Sequence, residues 1–308
     1  MRWLKILAVQ SIIALVLAEV LLRTYNPLPF RLRGDAIVLP AGFRYQRTNA
    51  PGPKFDPVTI HTRNRLGFRG PDLPDDFASR VSIVAVGGST TECFPLSDGK
   101  SWPEVMGAEL AKTRADLWVN NAGFDGHSTF GHLVLLRSVL VTLRPTVMLV
   151  LAGVNDIGLD WVEPNDEFEA PDPRTQRIWH RLARHSELAN TALNLVRAWR
   201  ASRMTFGGDQ PLDFASLRRF SMTDDEIAAA VAPFARYLDS YDSRLSALAR
   251  DSRAAGIEPV FLTQPALVGG GVDPSTGLDL TTLAGDGDQN GLADWRLDWA
   301  SFVDAAAY

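Results

Sequence analysis

From residue 81 onward, apolar and polar positions follow two rhythms in turn. Apolar runs occupy 81–86, where Ser82 is the one polar residue, 117–119, 147–151 and 259–262. Short continuous runs of this kind suit parallel strands covered on both faces, where no alternation with polar residues is needed. Between them, apolar residues recur at helical spacing. Ser101-Trp102-Pro103-Glu104 is a capping box with proline in the first turn, and it predicts a helix running to about Lys112. Residues 129–143 predict another, stopped at Arg144-Pro145. A second capping box, Thr223-Asp224-Asp225-Glu226, opens a long helical stretch that reaches Ala255 and closes on Gly256, with Pro233 set to kink or split it. This alternation predicts right-handed βαβ units and an α/β, doubly wound parallel sheet.

The first two dozen residues keep neither rhythm. Arg2 and Lys5 precede ILAVQSIIALVLAEVLL at 6–22, interrupted only by Gln10, Ser11 and Glu19. That length is enough to cross a bilayer. Arg23-Thr24-Tyr25 follows where a small-residue cleavage site would stand, which favours an uncleaved signal-anchor over a removed signal peptide. The polar face is too narrow for an amphipathic helix packed on a domain. Arg23, Arg31 and Arg33 lie beyond the apolar run, so the Lys/Arg count does not choose an orientation.

Residues 26–74 are rich in Pro, Gly and Arg and read as a linker with short extended pieces. Within them IHTRNRLGFRGPDLP, 60–74, reads as ordered, pinned by Leu66 and Phe68 and turned at Gly67 and Gly70. The expected division is an anchor at 1–25, a linker at 26–80 and a main domain at 81–308. Two stretches read as insertions: an amphipathic, arginine-rich helical segment at 174–204, and a loop rich in glycine and aspartate at 269–291.

Composition narrows the classes. With 46% hydrophobic and 22% charged residues, the 308-residue chain is ordinary globular material. A net charge of −5 gives no electrostatic case for nucleic-acid binding. Cys93 is the sole cysteine, so no intrachain disulfide forms and the redox compartment stays open.

Ligands of an open parallel sheet bind at the carboxyl ends of its strands. Here those ends carry Gly87-Gly88-Ser89, then Asn121-Ala122-Gly123, then Gly153-Val154-Asn155-Asp156. Acyl transfer needs a nucleophilic oxygen and hydrogen-bond donors aimed at a developing oxyanion. A serine hydroxyl, a glycine N–H and an asparagine amide suit those roles. Each stretch alone is also an ordinary turn. GGST lacks the Gly-Lys-Ser/Thr of a P-loop, and Thr91 replaces the second glycine of a G-x-S-x-G elbow.

Taken in order, the three stretches resemble the SGNH hydrolases, also called GDSL-type esterases. GGST stands in place of the usual GDS block, NAG matches the glycine block and GVND the asparagine block. LAEVLLR, NRLGFRG and LTQP (262–265) look like membrane-anchored bacterial members. The resemblance implies a flavodoxin-like sheet with an N-terminal transmembrane helix. It implies Ser89 as nucleophile, with Gly123 and Asn155 in the oxyanion hole. It further implies a serine ester hydrolase with no cofactor, acting on a small-molecule, glycan or lipid ester. The expected location is the bacterial inner membrane, with a cytoplasmic N-terminus and the domain in the periplasm.

The family's base comes from an Asp-x-x-His block after a fifth strand. The histidines here are His61, His127, His132, His180 and His185, and none has Asp three positions before it. The expectation is a chain cut short before that block, with weak or no turnover. The alternative is a non-catalytic surface protein that binds acylated glycan or lipid in the same cleft. His127, four residues beyond Gly123, is the internal candidate for a substitute base. His132 is expected to pack on its helix, and Cys93 lacks a base of its own. Asp286-Gly287-Asp288-Gln289-Asn290-Gly291 matches the first half of an EF-hand loop, but Leu297 replaces the bidentate glutamate.

Overall fold

The four apolar runs become the four strands of one parallel sheet. The computed structural model describes residues 2–28, 32–34, 36–49, 56–156, 174–201, 223–264 and 272. The strands are β5 (Val81–Gly87), β6 (Leu117–Asn121), β7 (Val147–Leu151) and β8 (Glu258–Leu262), in the order β6-β5-β7-β8. This is the flavodoxin-like order 2-1-3-4, and its direction reverses between β5 and β7. Ahead of the sheet lie helix α1 (Arg2–Thr24) and two small antiparallel ribbons. One ribbon pairs β1 (Leu32–Arg33) with β2 (Ala36–Ile37), the other β3 (Arg44–Thr48) with β4 (Val58–Thr62).

The helices fall where their signals stand. A one-turn helix α2 (Ser89–Glu92) caps β5, and α3 (Trp102–Ala111) starts on its capping box. The helix α4 (Thr129–Leu135) continues through a π turn at Leu136–Leu140 into α5 (Val141–Leu143). Ser128 caps it by accepting from Phe130 N–H. The arginine-rich insertion is two helices, α6 (Arg174–His185) and α7 (Glu187–Ala201), meeting at Ser186. The second capping box opens α8 (Asp224–Val231); a 3-10 turn containing Pro233 then leads into α9 (Ala235–Ala254). Proline has no N–H for the helical ladder, so the long helix divides there.

The right-handed crossover rule puts α3 and α4 on opposite faces, because the chain reverses direction across the sheet between them. Val84, Val86, Met148 and Val150 from the strands pack with Leu136 and Leu248 from the helices in the main core. Phe68, from the segment before the sheet, is fully buried in the same core. Among the described residues, α1 is the one helix long and apolar enough to cross a membrane, over Lys5–Thr24. The glycine-rich loop at 269–291 and its aspartates lie outside the described residues, apart from Val272.

Candidate active site

Each of the three chemistry-bearing stretches sits at the carboxyl edge of the sheet, and missing side chains let them converge. β5 is buried to its end, Gly88 is buried too, and Ser89 emerges exposed as the first residue of α2. A Cβ on Gly88 would fall 2.4 Å from Asn155 Nδ2. One on Gly87 would meet Thr91 Oγ1 at 2.1 Å and the Leu151 carbonyl at 2.8 Å. One on Gly123 would stand 2.3 Å from Glu92 N and 2.6 Å from Thr91 C. The ends of β6 and β7 therefore touch the turn that carries Ser89, and only glycine fits at the points of contact. Gly88, Thr90, His127, Val154, Asn155 and Gln264 line a small cleft there.

Two of the expected donors are engaged. Asn155 lies on a 3-10 turn after β7, and its Nδ2 donates to the His127 carbonyl at 2.9 Å. An amide nitrogen carries two protons, so one remains to give. The Gly123 N–H donates its single proton to Asn121 Oδ1 at 2.9 Å. The Ser89 N–H heads α2, where a helix leaves its first amides without carbonyl partners in the preceding turn.

The serine turn is braced from two sides by residues that, apart from Asp156, sequence reasoning did not single out. On one side, Arg63 and Glu92 form a buried ion pair, and Glu92 also accepts the Asp125 N–H. Fully buried Arg69 donates Nη1 to the carbonyls of Glu92 at 2.7 Å and Cys93 at 2.8 Å. Its Nη2 reaches the Leu96 carbonyl at 3.0 Å and pairs with Glu104 at 3.4 Å. The backbone of Arg69 exchanges hydrogen bonds with Asn121, and Asn121 Nδ2 donates to the Thr91 carbonyl. The NRLGFRG segment is thus the clamp on the carbonyl end of α2. Arg69 of this segment and Arg63 just before it were legible as charges, but Glu92, which both reach, lies 23 and 29 residues away.

On the other side, buried Asp156 accepts the Thr129 N–H at 3.1 Å and the Thr129 hydroxyl, and pairs with Arg244 Nη2 at 3.3 Å. Arg244 Nε donates to Thr129 Oγ1 at 2.6 Å and lies over the Phe130 ring. Burial pushes the Asp156 carboxyl up, against the Thr129 and Arg244 bonds that favour its charge. Asp156 ties the end of β7 to the first turn of α4 and to α9.

The described histidines divide by position. His132 is buried in α4, and burial lowers its pKa to about 4. His61 is buried between Tyr45 and Phe94; burial first, then Arg69 and Arg63, bring it to about 4. His127 reaches the cleft wall, its ring stacked on Phe124 at 5.1 Å. Burial raises the Cys93 thiol, which leaves it a poor nucleophile beside Ser89. Among the described residues, no group of three or more His, Cys, Asp or Glu is placed to hold a metal ion.

The 2-1-3-4 parallel sheet defines a flavodoxin-like α/β domain, with Ser89, Gly123 and Asn155 at the carboxyl edge of its strands. The chain belongs to the GDSL-like lipase/acylhydrolase family, whose profile matches residues 85–276. It is an ester-hydrolysing enzyme by family. It is similar to the psychrotrophic esterase EstA from a Pseudoalteromonas species, at 18% identity over 59% of this chain and 78% of that one, with a TM-score of 0.28. AlinE4, an SGNH-hydrolase family esterase, is 18% identical over 52% of this chain and 96% of its own, with a TM-score of 0.25. A GDSL-like lipase from Bacteroides thetaiotaomicron is 15% identical over 76% and 93% of the two chains, with a TM-score of 0.24. No curated protein matches the chain.

Proposed function

We propose that the chain is a membrane-anchored serine ester hydrolase in which Ser89 attacks the carbonyl of an acyl or acetyl ester carried by an envelope glycan or lipid. The observation behind this reading is the exposed Ser89 hydroxyl at the head of α2, beside the Asn155 amide that closes on Gly88. Attack develops negative charge on the carbonyl oxygen, and donors fixed in advance stabilise it most. The Ser89 N–H and the second proton of Asn155 Nδ2 are the two ready donors. Gly123 joins them once its N–H leaves Asn121; until then it serves by letting β6 approach α2. α1 holds the domain at the membrane, with the N-terminus cytoplasmic and the domain in the periplasm.

No Asp-x-x-His block occurs in the 308 residues, and loss of a serine's base costs roughly 10⁴ to 10⁶ in turnover. The 308-residue chain is therefore expected to react slowly. The test is labelling with a fluorophosphonate, followed by peptide mapping, alongside hydrolysis of a p-nitrophenyl acyl ester. Slow labelling confined to Ser89, abolished in Ser89→Ala and reduced in Asn155→Ala, is the expected result. Hydrolysis that proceeds equally in Ser89→Ala would sink the assignment of the nucleophile.

A further inference from the structure

α7 is built inside out. Its inward face carries Asn190, Thr191 and Asn194, all buried, with Asn190 only 5% exposed. Its outward face carries Leu195, 51% exposed, Val196, and Trp199, 56% exposed. The two asparagines are bonded internally, while the Thr191 hydroxyl is buried without a partner among the described residues: Asn190 Oδ1 accepts from Gly34 N–H at 3.1 Å and from Asn194 Nδ2 at 3.0 Å. A helix facing water turns its polar stripe outward, so this inversion marks a surface shaped for an apolar medium. α6 repeats the exposure with Ile178, 62% exposed, Trp179 and Leu182. Its sequence RTQRIWHRLARH holds four arginines and no acid, the arginines spaced three or four apart as one stripe of the sequence; of them Arg181 and Arg184 are exposed.

The place of the hairpin says what covers it. Glu19, near the exit end of α1, accepts from the Ser186 hydroxyl at 2.7 Å and from the backbone N–H groups of Glu187 and Leu188 at 3.0 and 2.9 Å. Arg23 donates to the His185 carbonyl at 2.7 Å. The α6–α7 junction is thus bonded to the last two turns of the apolar helix. At a rise of 1.5 Å per residue, Glu19 lies about 7 Å from Thr24, within the depth of a lipid headgroup layer.

We propose that the α6–α7 hairpin lies in the interface of the bilayer that α1 spans, its exposed leucine, isoleucine, valine and tryptophan side chains among the lipids and its arginine stripe at the level of anionic phosphates. The inference rests on α1 being a membrane anchor. It adds a second, peripheral contact that fixes the rotation of the domain on the membrane. Without it, a domain held by one helix turns freely. Apolar side chains and tryptophan favour that boundary, and arginine reaches acidic headgroups from it.

The test uses the full chain reconstituted in phosphatidylcholine–phosphatidylglycerol vesicles, in a Cys93→Ser background. An environment-sensitive fluorophore is attached in Leu182→Cys, in Leu195→Cys and, as a water-facing reference on α3's C-terminal side, in Lys112→Cys. Quenching by nitroxides on the lipid acyl chains should be several-fold stronger at positions 182 and 195 than at 112, with iodide showing the reverse order. Iodide reaching either hairpin position as freely as 112 overturns the placement. So does a disulfide-linked dimer through position 195, which would make a second copy the occupant. Alkaline carbonate extraction separates the two readings. A chain released by carbonate loses the anchor and the inference together; a retained chain with labels in water loses only the inference.

Discussion

The sheet edge around Ser89 and the α6–α7 hairpin dispose of polar groups in opposite ways. At the edge, charges are buried and matched: Arg63 on Glu92, Arg69 on three carbonyls, Arg244 on Asp156. In the hairpin, uncharged amides are buried while tryptophan and leucine face outward. The edge spends its polar groups on holding one geometry, since a buried charge is tolerable when paired and hydrogen-bonded. The hairpin keeps few constraints on its outer face because its form answers to what surrounds it. Substitutions should therefore cost stability at the edge and leave it nearly untouched on the hairpin's outer face.

The sharpest break of that comparison is Arg69→Met. Methionine fills much of the volume but removes the guanidinium donor from the carbonyls of residues 92, 93 and 96 and the cation paired with Glu104. Removing one member of a buried charged network costs about 3–5 kcal/mol. Urea unfolding of the variant should show a loss of that size; a loss under about 1 kcal/mol would mean that the clamp is ornamental.

Gly123→Ala comes next. The new methyl would press on the backbone of Thr91 and Glu92, which cannot rotate away as a side chain does. Overpacking of this sort costs about 1–3 kcal/mol, and it should shift α2 enough to slow fluorophosphonate labelling of Ser89. Unchanged labelling with unchanged stability would show that β6 yields more readily than the close approach implies.

A third test varies pH. Folding holds His61 and His132 down to about 4, whereas an unfolded histidine titrates near 6.5. As pH falls below about 6.5, the unfolded chain takes up protons first, so stability present at pH 7 is lost progressively down to about pH 4. Between pH 7 and pH 5, His61→Phe, which keeps a ring between Tyr45 and Phe94, should lose about 1–2 kcal/mol less than the parent. A variant whose stability falls as steeply with acid as the parent's would remove His61 from this account.

The contrast also explains what could be read in advance. The strands were legible because their apolar runs are local, and both capping boxes because four consecutive residues suffice to write one. Ser89, Gly123 and Asn155 could be set at one edge of the sheet from the sequence because each follows a strand, and the sheet brings strand ends together. The braces were hidden. Asp156 meets Thr129 and Arg244 across 27 and 88 residues, and no local pattern names such partners. The proton on Gly123 was likewise assigned to an oxyanion without any means of seeing Asn121 Oδ1 take it. The hairpin's amphipathicity was visible, but which face turns inward was not.

The smallest effect tests that last point. In the detergent-solubilised full chain, Asn194→Ala removes the bonds from Nδ2 to the Asn190 carbonyl and Oδ1, at 2.9 and 3.0 Å, and should cost about 1 kcal/mol. Leu195→Ser, one residue on, should change thermal stability by no more than about 0.5 kcal/mol, because its side chain already faces out. For a water-facing amphipathic helix the order would be reversed, with the leucine costly and the asparagine neutral. That reversal, read from two melting curves, would place Leu195 inside and remove the physical ground for setting this hairpin against a membrane.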